Sequence, residues 1–354
     1  MLKNLDCKKF NRVLHRKIEG KEKIVEAQWE LTFRCNLNCR HCYLARDSDK
    51  KELSTKEIFG ILDQLRKQGC FWLCLTGGEP LIRKDFLDIY AYAKDKGFLI
   101  NLFTNGTLLT KEIADYLKKY PPYTIEITLN AITKKTYEAI TQVPDSFDKV
   151  MQGIKFIKQR NLPLTLKCNG MNINKNEILK IKEFTENLLG KGKFRFDPVI
   201  MPKMDGSREP CNLRLTPDEI REIEYLDSDM QEQCKKNIKF PENEKDWYEQ
   251  LLNTNHLYPC AFGRTTCHID AYGYLKICQV SKEPCYDLRR FRLKEAFDTL
   301  LNQLKDIKWA TDSKCRRCKI FYLCRQCPAR ALLENNDAEK PVEYFCEIAQ
   351  RIRR

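Results

Sequence analysis

The stretch that decides the fold is "FRCNLNCRHCYL", residues 33–44, which places three cysteines in one short loop. Cys35, Cys39 and Cys42 follow the spacing Cys-x3-Cys-x2-Cys. Three thiolates from one loop can hold three irons of a [4Fe–4S] cluster, and the fourth iron then keeps the open position that distinguishes a working metal site from a sealed one. A zinc site completed by His41 is the alternative, but His41 directly precedes Cys42, and adjacent residues seldom converge on one small ion. The loop therefore predicts an iron–sulfur site with an open position.

Length and composition indicate a folded intracellular protein. The chain has 354 residues, 42% of them hydrophobic and 32% charged, and single cores seldom grow beyond about 250–300 residues, so one large domain or two are expected. No run of about 18 apolar residues predicts a membrane span, and the N-terminus lacks the apolar stretch of a signal peptide. We therefore expect a cytoplasmic location. In a reducing compartment the 18 cysteines indicate metal binding or chemistry rather than disulfides.

The formal charge of +14 invites a nucleic-acid interpretation. That count treats every cysteine as neutral, and thiolates bound to iron–sulfur clusters would lower it. Lysines and carboxylates also alternate in "LKEAFDTLLNQLKDIKW", residues 293–309, which is typical of a solvated helix face. Neither a nucleic acid nor a membrane is an expected partner.

Residues 27–199 alternate β-rich runs with helical stretches, the βα rhythm of parallel-sheet proteins. The predicted strands are Ala27–Phe33, Trp72–Leu75, Phe98–Thr104, Tyr123–Leu129, Leu164–Lys167 and Lys193–Pro198. The predicted helices are Thr55–Gln68, Phe86–Lys96, Lys111–Lys119, Phe147–Gln159 and Lys175–Leu189. Six βα units predict an α/β fold that forms an open or partial barrel, with functional residues at the carboxyl ends of its strands.

Changes in composition divide the chain into four parts. An N-terminal segment, residues 1–26, precedes the barrel, residues 27–210. A charged helical bridge, residues 211–256, follows it, and a small cysteine-rich domain occupies residues 257–354.

The second predicted strand ends in "LTGGEP", residues 75–80. Gly77 and Gly78 let the backbone approach a ligand closely, and the Glu79 carboxylate can accept hydrogen bonds from an ammonium group. Together with the cysteine loop, this motif resembles the radical S-adenosylmethionine (radical SAM) superfamily, whose partial, TIM-like (βα)6 barrel carries such a loop after its first strand. The resemblance implies that S-adenosylmethionine (SAM) is chelated by the open iron and is reductively cleaved to a 5′-deoxyadenosyl radical. That radical removes a hydrogen atom from the substrate.

The same resemblance implies contacts to SAM from several strand ends. The cofactor-binding residues that it implies are Tyr43, Gly77, Gly78, Glu79, Pro80, Thr104, Asn105, Thr128, Asn130 and Lys167. Tyr43 fits the family's adenine contact. Thr128 and Asn130 stand where the family often has Ser-x-Asp, so this chain keeps the hydrogen bonding and loses a charge. Several of these residues are equally compatible with a turn or a polar surface position.

The C-terminal stretch "KCRRCKIFYLCRQCPAR", residues 314–330, contains two Cys-x2-Cys pairs. With the cysteines around it, it resembles the SPASM extension of radical SAM enzymes, although the usual form has three residues between the last two cysteines. The resemblance implies two auxiliary [4Fe–4S] clusters, three clusters in all. The ligands that it implies for the first auxiliary cluster are Cys260, Cys267, Cys278 and Cys327. Those that it implies for the second are Cys315, Cys318, Cys324 and Cys346.

Two details bear on this division of ligands. In two-cluster ferredoxins the cysteine before a proline serves the other cluster, and Cys327 precedes Pro328. Cys285 is the rival of Cys267 for the first auxiliary cluster.

The SPASM resemblance implies an enzyme that oxidatively modifies a peptide or protein, for example a maturase that forms a thioether or C–C cross-link in a ribosomal peptide. Its expected partners are the peptide substrate, a separate leader-peptide-recognition protein, and an electron donor such as flavodoxin or ferredoxin. Maturation of a tetrapyrrole of the haem type and a sulfatase-maturase-like activity are the enzymatic alternatives. A non-enzymatic iron–sulfur protein is the last alternative, but it would not use the open iron or Gly77–Glu79.

Overall fold

The structure is a computed structural model, and it describes residues 23–45, 49–232, 255–258, 265–324 and 327–353. Within these ranges a nine-stranded sheet has the order β6-β5-β4-β3-β2-β1-β7-β8-β9. The strands are β1 (Glu26–Glu30), β2 (Trp72–Thr76), β3 (Leu99–Thr104), β4 (Thr124–Thr128), β5 (Leu164–Asn169), β6 (Phe194–Asp197), β7 (Thr266–Ile269), β8 (Tyr274–Lys276) and β9 (Cys285–Asp287).

Ten helices are named here. They are α1 (Thr55–Lys67), α2 (Phe86–Asp95), α3 (Lys111–Lys119), α4 (Lys134–Thr141), α5 (Ser146–Gln159), α6 (Ile178–Leu189), α7 (Pro217–Tyr225), α8 (Leu293–Asp306), α9 (Pro328–Asn335) and α10 (Glu343–Arg353). None of the helices in the described part of the chain is long and apolar enough to cross a membrane.

Strands β1 to β6 are parallel to their neighbours, as a chain of βα units requires. Alternate residues of each strand face opposite sides of the sheet. In β4, Ile125 and Ile127 are fully buried in the hydrophobic core, while Glu126 and Thr128 line a cavity on the other side. This pattern confirms the predicted partial barrel, with its polar side chains facing inward.

The sheet continues beyond the six predicted barrel strands. Strand β7 pairs in parallel with β1, and β8 and β9 extend the sheet as an antiparallel meander. A strand of four residues does not show a period strong enough to assign it from sequence. Helix α4 was also missing from the prediction, because it has only eight residues, and the Thr133 side chain that caps it resembles a turn former.

A buried ion pair joins the start of the predicted bridge to α9. Glu334 has only 3% of its side chain exposed, and both its oxygens accept hydrogen bonds from Arg214, at 2.6 and 2.7 Å. The Arg214 guanidinium stacks on the Tyr344 ring at 4.5 Å. Bidentate pairing of this kind fixes orientation as well as distance. The boundaries at residues 26, 210 and 256 stay predictions.

Candidate functional site

The cysteine loop leaves the end of β1, and all three of its thiols are partly buried. Burial, and then the negative charges of Cys42 and Cys35, raise the pKa of Cys39 to about 12. Burial also raises the pKa of Cys35, although the Leu37 N–H donates a hydrogen bond to its Sγ at 3.4 Å. Three thiolates that repel one another need a positively charged partner, and an iron–sulfur core supplies one. The donor set of the loop therefore fits a [4Fe–4S] cluster. Among the described residues, no three His, Cys, Asp or Glu side chains are grouped to hold a single metal ion.

The Gly77–Glu79 segment packs directly against the entrance to this loop. The Gly78 N–H donates to the Thr32 carbonyl at 2.7 Å, and the Glu79 N–H donates to the Arg34 carbonyl at 2.9 Å. A Cβ atom on Gly78 would lie only 2.4 Å from the Arg34 carbonyl oxygen. The close approach of the two motifs therefore requires glycine at this position.

Glu79 is fully buried beside the loop. The Thr104 hydroxyl donates to its Oε1 at 2.7 Å, the Asn105 N–H donates to its Oε2 at 2.7 Å, and the Leu81 N–H donates to Oε1 at 3.1 Å. Burial raises the pKa of Glu79 to about 7, although these three donors act in the opposite direction. A buried carboxylate with no ion-pair partner in the described part of the chain suits an ammonium group, as the predicted SAM contact requires.

Asn105 connects this carboxylate to the cysteine loop. Its side-chain Nδ2 donates to Cys35 Sγ at 3.6 Å and to Asn36 Oδ1 at 3.0 Å. Hydrogen bonds to a ligand sulfur tune the potential of an iron–sulfur cluster. The sequence predicted Asn105 only as a SAM contact. The structure also places its side chain beside the cluster ligand Cys35.

His41, which the sequence offered only as an unsuitable zinc ligand, lies in the cavity with two amide partners. The Nδ2 groups of Asn130 and Asn169 each lie 3.3 Å from His41 Nε2. Amide Nδ2 groups are donors, so this arrangement suits an imidazole whose Nε2 is unprotonated. Burial, and then the charge of Lys167, lower the pKa of His41 to about 4, so the ring is neutral at neutral pH. Asn169 could have been predicted from the sequence, because it lies two residues after Lys167 in the same strand and therefore faces the same side.

Tyr43 does not simply face the cavity. Its hydroxyl donates to Glu30 Oε1 at 2.7 Å, and the other oxygen of this buried carboxylate lies 3.0 Å from His268 Nε2. Burial, and then Glu30, raise the pKa of Tyr43. Tyr43 lines the cavity, and its hydroxyl is already bonded to Glu30. Its predicted contact with adenine stays a prediction.

A cavity of about 1140 Å³ opens beside the loop. The predicted SAM contacts that line it are Tyr43, Gly77, Gly78, Thr104, Asn105, Thr128, Asn130 and Lys167. Pro80 is buried and begins the turn after Glu79. The Lys167 Nζ lies 3.3 Å from Asp197 Oδ2. Sequence reasoning missed Glu126, which lines the same cavity two residues before Thr128 and is ion-paired with Arg195.

The cysteines implied for the second auxiliary cluster lie together. Burial, and then the charges of Cys346 and Cys318, raise the pKa of Cys315 to about 11. A hydrogen bond with Cys324 lowers the pKa of Cys346 to about 7. Cys315 therefore interacts with Cys318 and Cys346, and Cys346 with Cys324, as expected for members of one ligand set.

The cysteines implied for the first auxiliary cluster are only partly brought together. Cys278 and Cys327 pack against the same small apolar cluster, and Cys327 is among the charges that raise the pKa of Cys278, after burial. Cys260 lies outside the described residues. Cys267 lies in β7 with 3% of its surface exposed, within the main hydrophobic core. The Cys285 thiol lies 3.4 Å from a carboxylate oxygen of Glu283.

Comparison with known proteins agrees with this geometry. The profile of the radical SAM superfamily matches residues 29–185. The chain is 27% identical over 329 residues to an AdoMet-dependent heme synthase of Methanosarcina barkeri. The match covers 87% of this chain and 92% of the relative.

Two groups of solved structures share the fold. SuiB of Streptococcus suis, bound to its precursor peptide SuiA, matches with a TM-score of 0.67 and 16% identity, over 96% of this chain and 80% of that one. The structure of anSMEcpe with bound AdoMet matches with a TM-score of 0.65 and 15% identity, over 93% of this chain and 92% of that one. Identities this low show the fold alone. The predicted fold, a partial barrel followed by a cysteine-rich region, is confirmed.

Gly78→Ala should disrupt the site, because its Cβ would overlap backbone atoms of the cysteine loop. We expect loss of most loop-bound iron and at least about a tenfold loss of SAM affinity, which corresponds to about 1.4 kcal/mol. Iron analysis and calorimetric titration with SAM measure both effects. Gly60→Ala is the matched control, since its Cβ would meet nothing within 4 Å. Equal SAM affinity in the two variants, with both chains folded by circular dichroism, would contradict the close approach.

Glu79 should make the metal-free chain less stable as pH rises. Its pKa is about 7 in the folded chain and about 4.3 when unfolded, so the folded chain binds the proton more tightly. The free energy of unfolding therefore falls as pH rises through this interval, by about 4 kcal/mol in total at 1.36 kcal/mol per pH unit. Urea unfolding near pH 5 and near pH 8 should show this fall in the wild type relative to Glu79→Gln. A difference that does not change with pH would contradict the raised pKa.

Proposed function

Because the chain belongs to the radical SAM superfamily, we propose that it oxidatively modifies a substrate side chain that enters its barrel, and that this substrate is a tetrapyrrole of the haem type. The observation that carries the choice of substrate is the similarity to a heme synthase over 92% of that relative's length. When bound, the loop cluster and SAM would supply a 5′-deoxyadenosyl radical that removes a hydrogen atom from an unactivated carbon. The chain itself supplies binding, orientation and exclusion of water.

The residues of the chain have separate tasks in this proposal. Cys35, Cys39 and Cys42 would hold the cluster, and the Glu79 carboxylate would receive the ammonium group of SAM. Gly77 and Gly78 let SAM approach the backbone. Cys278 and Cys327, and separately the second group of cysteines, would hold auxiliary clusters that accept the second electron of an oxidation.

The cavity offers positive charge for a substrate with carboxylate groups. Arg40, Lys167 and Lys203 line it. Arg40 is exposed, and its side chain has no ion-pair partner in the described part of the chain, whereas Lys203 is paired with Glu209 at 2.8 Å. The propionate groups of a tetrapyrrole would therefore find at least one free cation.

Modification of a peptide is the second candidate, and the lining of the cavity favours it. Nine amide side chains line the cavity: Gln28, Asn38, Asn105, Asn130, Gln142, Asn169, Asn172, Asn212 and Gln279. Amides both donate and accept hydrogen bonds, so they suit peptide groups better than the flat apolar faces of a macrocycle. The likeness in fold to SuiB, solved with its precursor peptide, is consistent with this candidate.

Under anaerobic reduction with dithionite, the reconstituted chain should convert SAM to 5′-deoxyadenosine, and Cys39→Ala should abolish the conversion. Cys211→Ala, at a cysteine that is outside all three predicted ligand sets, is the control and should retain it. Chromatography with mass spectrometry measures the product. A reduced wild type that makes no 5′-deoxyadenosine would overturn the radical chemistry.

The same reaction separates the two substrate classes. Iron coproporphyrin should lose CO2 and two hydrogens from a propionate if the tetrapyrrole proposal holds, while a peptide encoded beside the gene should lose two hydrogens if the second candidate holds. Mass spectrometry of both mixtures measures these changes. An unchanged porphyrin beside an oxidised peptide would replace the first proposal with the second.

Three clusters would require about twelve irons per chain. Cys327→Ala should remove about four of them, and adding Cys278→Ala should remove no more, because both are assigned to one cluster. Adding Cys318→Ala to Cys327→Ala should remove about four more. Iron analysis of reconstituted variants measures the loss, and equal losses in the two double variants would contradict the division of ligands.

A further inference from the structure

Side chains from three segments of the chain form one hydrogen-bonded series beside the cysteine loop. Tyr43 directly follows Cys42, Glu30 ends β1, and His268 lies in β7. The Tyr43 hydroxyl donates to Glu30 Oε1 at 2.7 Å, and His268 Nε2 lies 3.0 Å from Glu30 Oε2. An ionised carboxylate only accepts hydrogen bonds, so both neighbours are donors to Glu30.

The pairing of β7 with β1 brings His268 to this carboxylate. Gln28 is the partner of His268 in the register of these parallel strands. Gln28 and Glu30 face the same side of the sheet because they are two residues apart, and Gln28 lines the cavity. A residue of the C-terminal region therefore reaches the end of the first barrel strand. The six barrel strands alone do not complete the series.

The burial of Glu30 is not explained by the stability of the fold. Burying a carboxylate costs free energy unless hydrogen bonds compensate for the lost water, and the side chain of Glu30 is 3% exposed beside that of His268, which is 1% exposed. Exchange of such a buried pair for apolar side chains of similar volume is often neutral or stabilising. The place of the carboxylate, next to the residue that follows Cys42, points to a role in the loop instead.

Tyr43 is also held at its backbone. The Met204 N–H donates to the Tyr43 carbonyl at 2.8 Å. Met204 packs against the small apolar cluster that also contacts Cys278 and Cys327. The end of the cysteine loop is therefore bonded through the Tyr43 hydroxyl to β1 and β7, and through its carbonyl to a segment beside the predicted auxiliary ligands.

From these contacts we propose that Glu30 and His268 are positioning residues, which act through Tyr43 to fix the end of the cysteine loop for SAM binding. This inference deepens the proposed function and rests on it, because SAM is the ligand that the loop and its cluster would hold. Removing a residue that orients the ligands of a metal typically costs about 10–100-fold in affinity or activity. A broken series should therefore weaken SAM binding without removing any group that touches the metal.

Tyr43→Phe breaks the series and keeps the aromatic ring. In the reconstituted chain it should bind SAM at least about tenfold more weakly than the wild type, by calorimetric titration. The change that SAM causes in the electron paramagnetic resonance spectrum of the reduced chain should need correspondingly more SAM. Tyr90→Phe is the matched control, because the Tyr90 hydroxyl donates to the Tyr120 carbonyl at 2.6 Å, and it should keep the wild-type affinity. Equal affinities in the two variants, both folded by circular dichroism, would overturn the proposal.

His268 gives a second test, on a residue far from the loop in sequence. His268→Leu removes the donor and should weaken SAM binding at least about tenfold. His268→Gln, whose amide can donate to Glu30, should keep an affinity close to that of the wild type. Equal affinities in these two variants would overturn the role of His268. A reconstituted wild type that binds no SAM would instead overturn the proposed radical chemistry itself.

Discussion

The backbone contact between Gly78 and the residues just before Cys35 is the constraint on which the rest of the site depends. Strands β1 and β2 are parallel and in register from Glu26 to Glu30, so both chains leave the sheet at the same edge. The Gly78 N–H and Thr32 carbonyl then meet at 2.7 Å, and a Cβ atom on Gly78 would lie 2.4 Å from the Arg34 carbonyl oxygen. Glu79 follows at once and is held by groups at the end of β3. Three segments far apart in sequence thus form one site because parallel strands end together.

Much of this arrangement could be predicted from sequence, because its signals are local and repeated. The alternation of β-rich runs with helical stretches over residues 27–199 is strong, so the barrel could be predicted from it. The spacing of Cys35, Cys39 and Cys42 carries its chemistry without any structure. His41 and Cys267 could not be placed in this way. Whether a histidine meets two asparagines from other strands, or a cysteine turns toward a core or a cluster, depends on contacts between distant segments that no local pattern contains.

Sequence similarity and the chemistry of the cavity favour different candidate substrates. Similarity to a heme synthase over most of both chains favours a tetrapyrrole, but the cavity presents more amides than the apolar surface that ligand pockets usually have. Glu126 adds to this contrast. Its side chain is 5% exposed, and its ion-pair partner Arg195 does not line the cavity, so a propionate in the cavity would meet another carboxylate at this wall. A substrate group with a hydrogen-bond donor would not meet that repulsion.

Strand β1 carries more of the site than the loop that follows it. Its inward residues Gln28 and Glu30 each reach across to the C-terminal region. Gln28 Nε2 donates to Gln279 Oε1 at 3.1 Å, and Gln279 directly follows Cys278. Both amides line the cavity, so the wall nearest this predicted auxiliary ligand belongs to both parts of the chain. The same strand thus fixes both the cysteine loop and the part of the cavity wall that directly follows Cys278 in the chain.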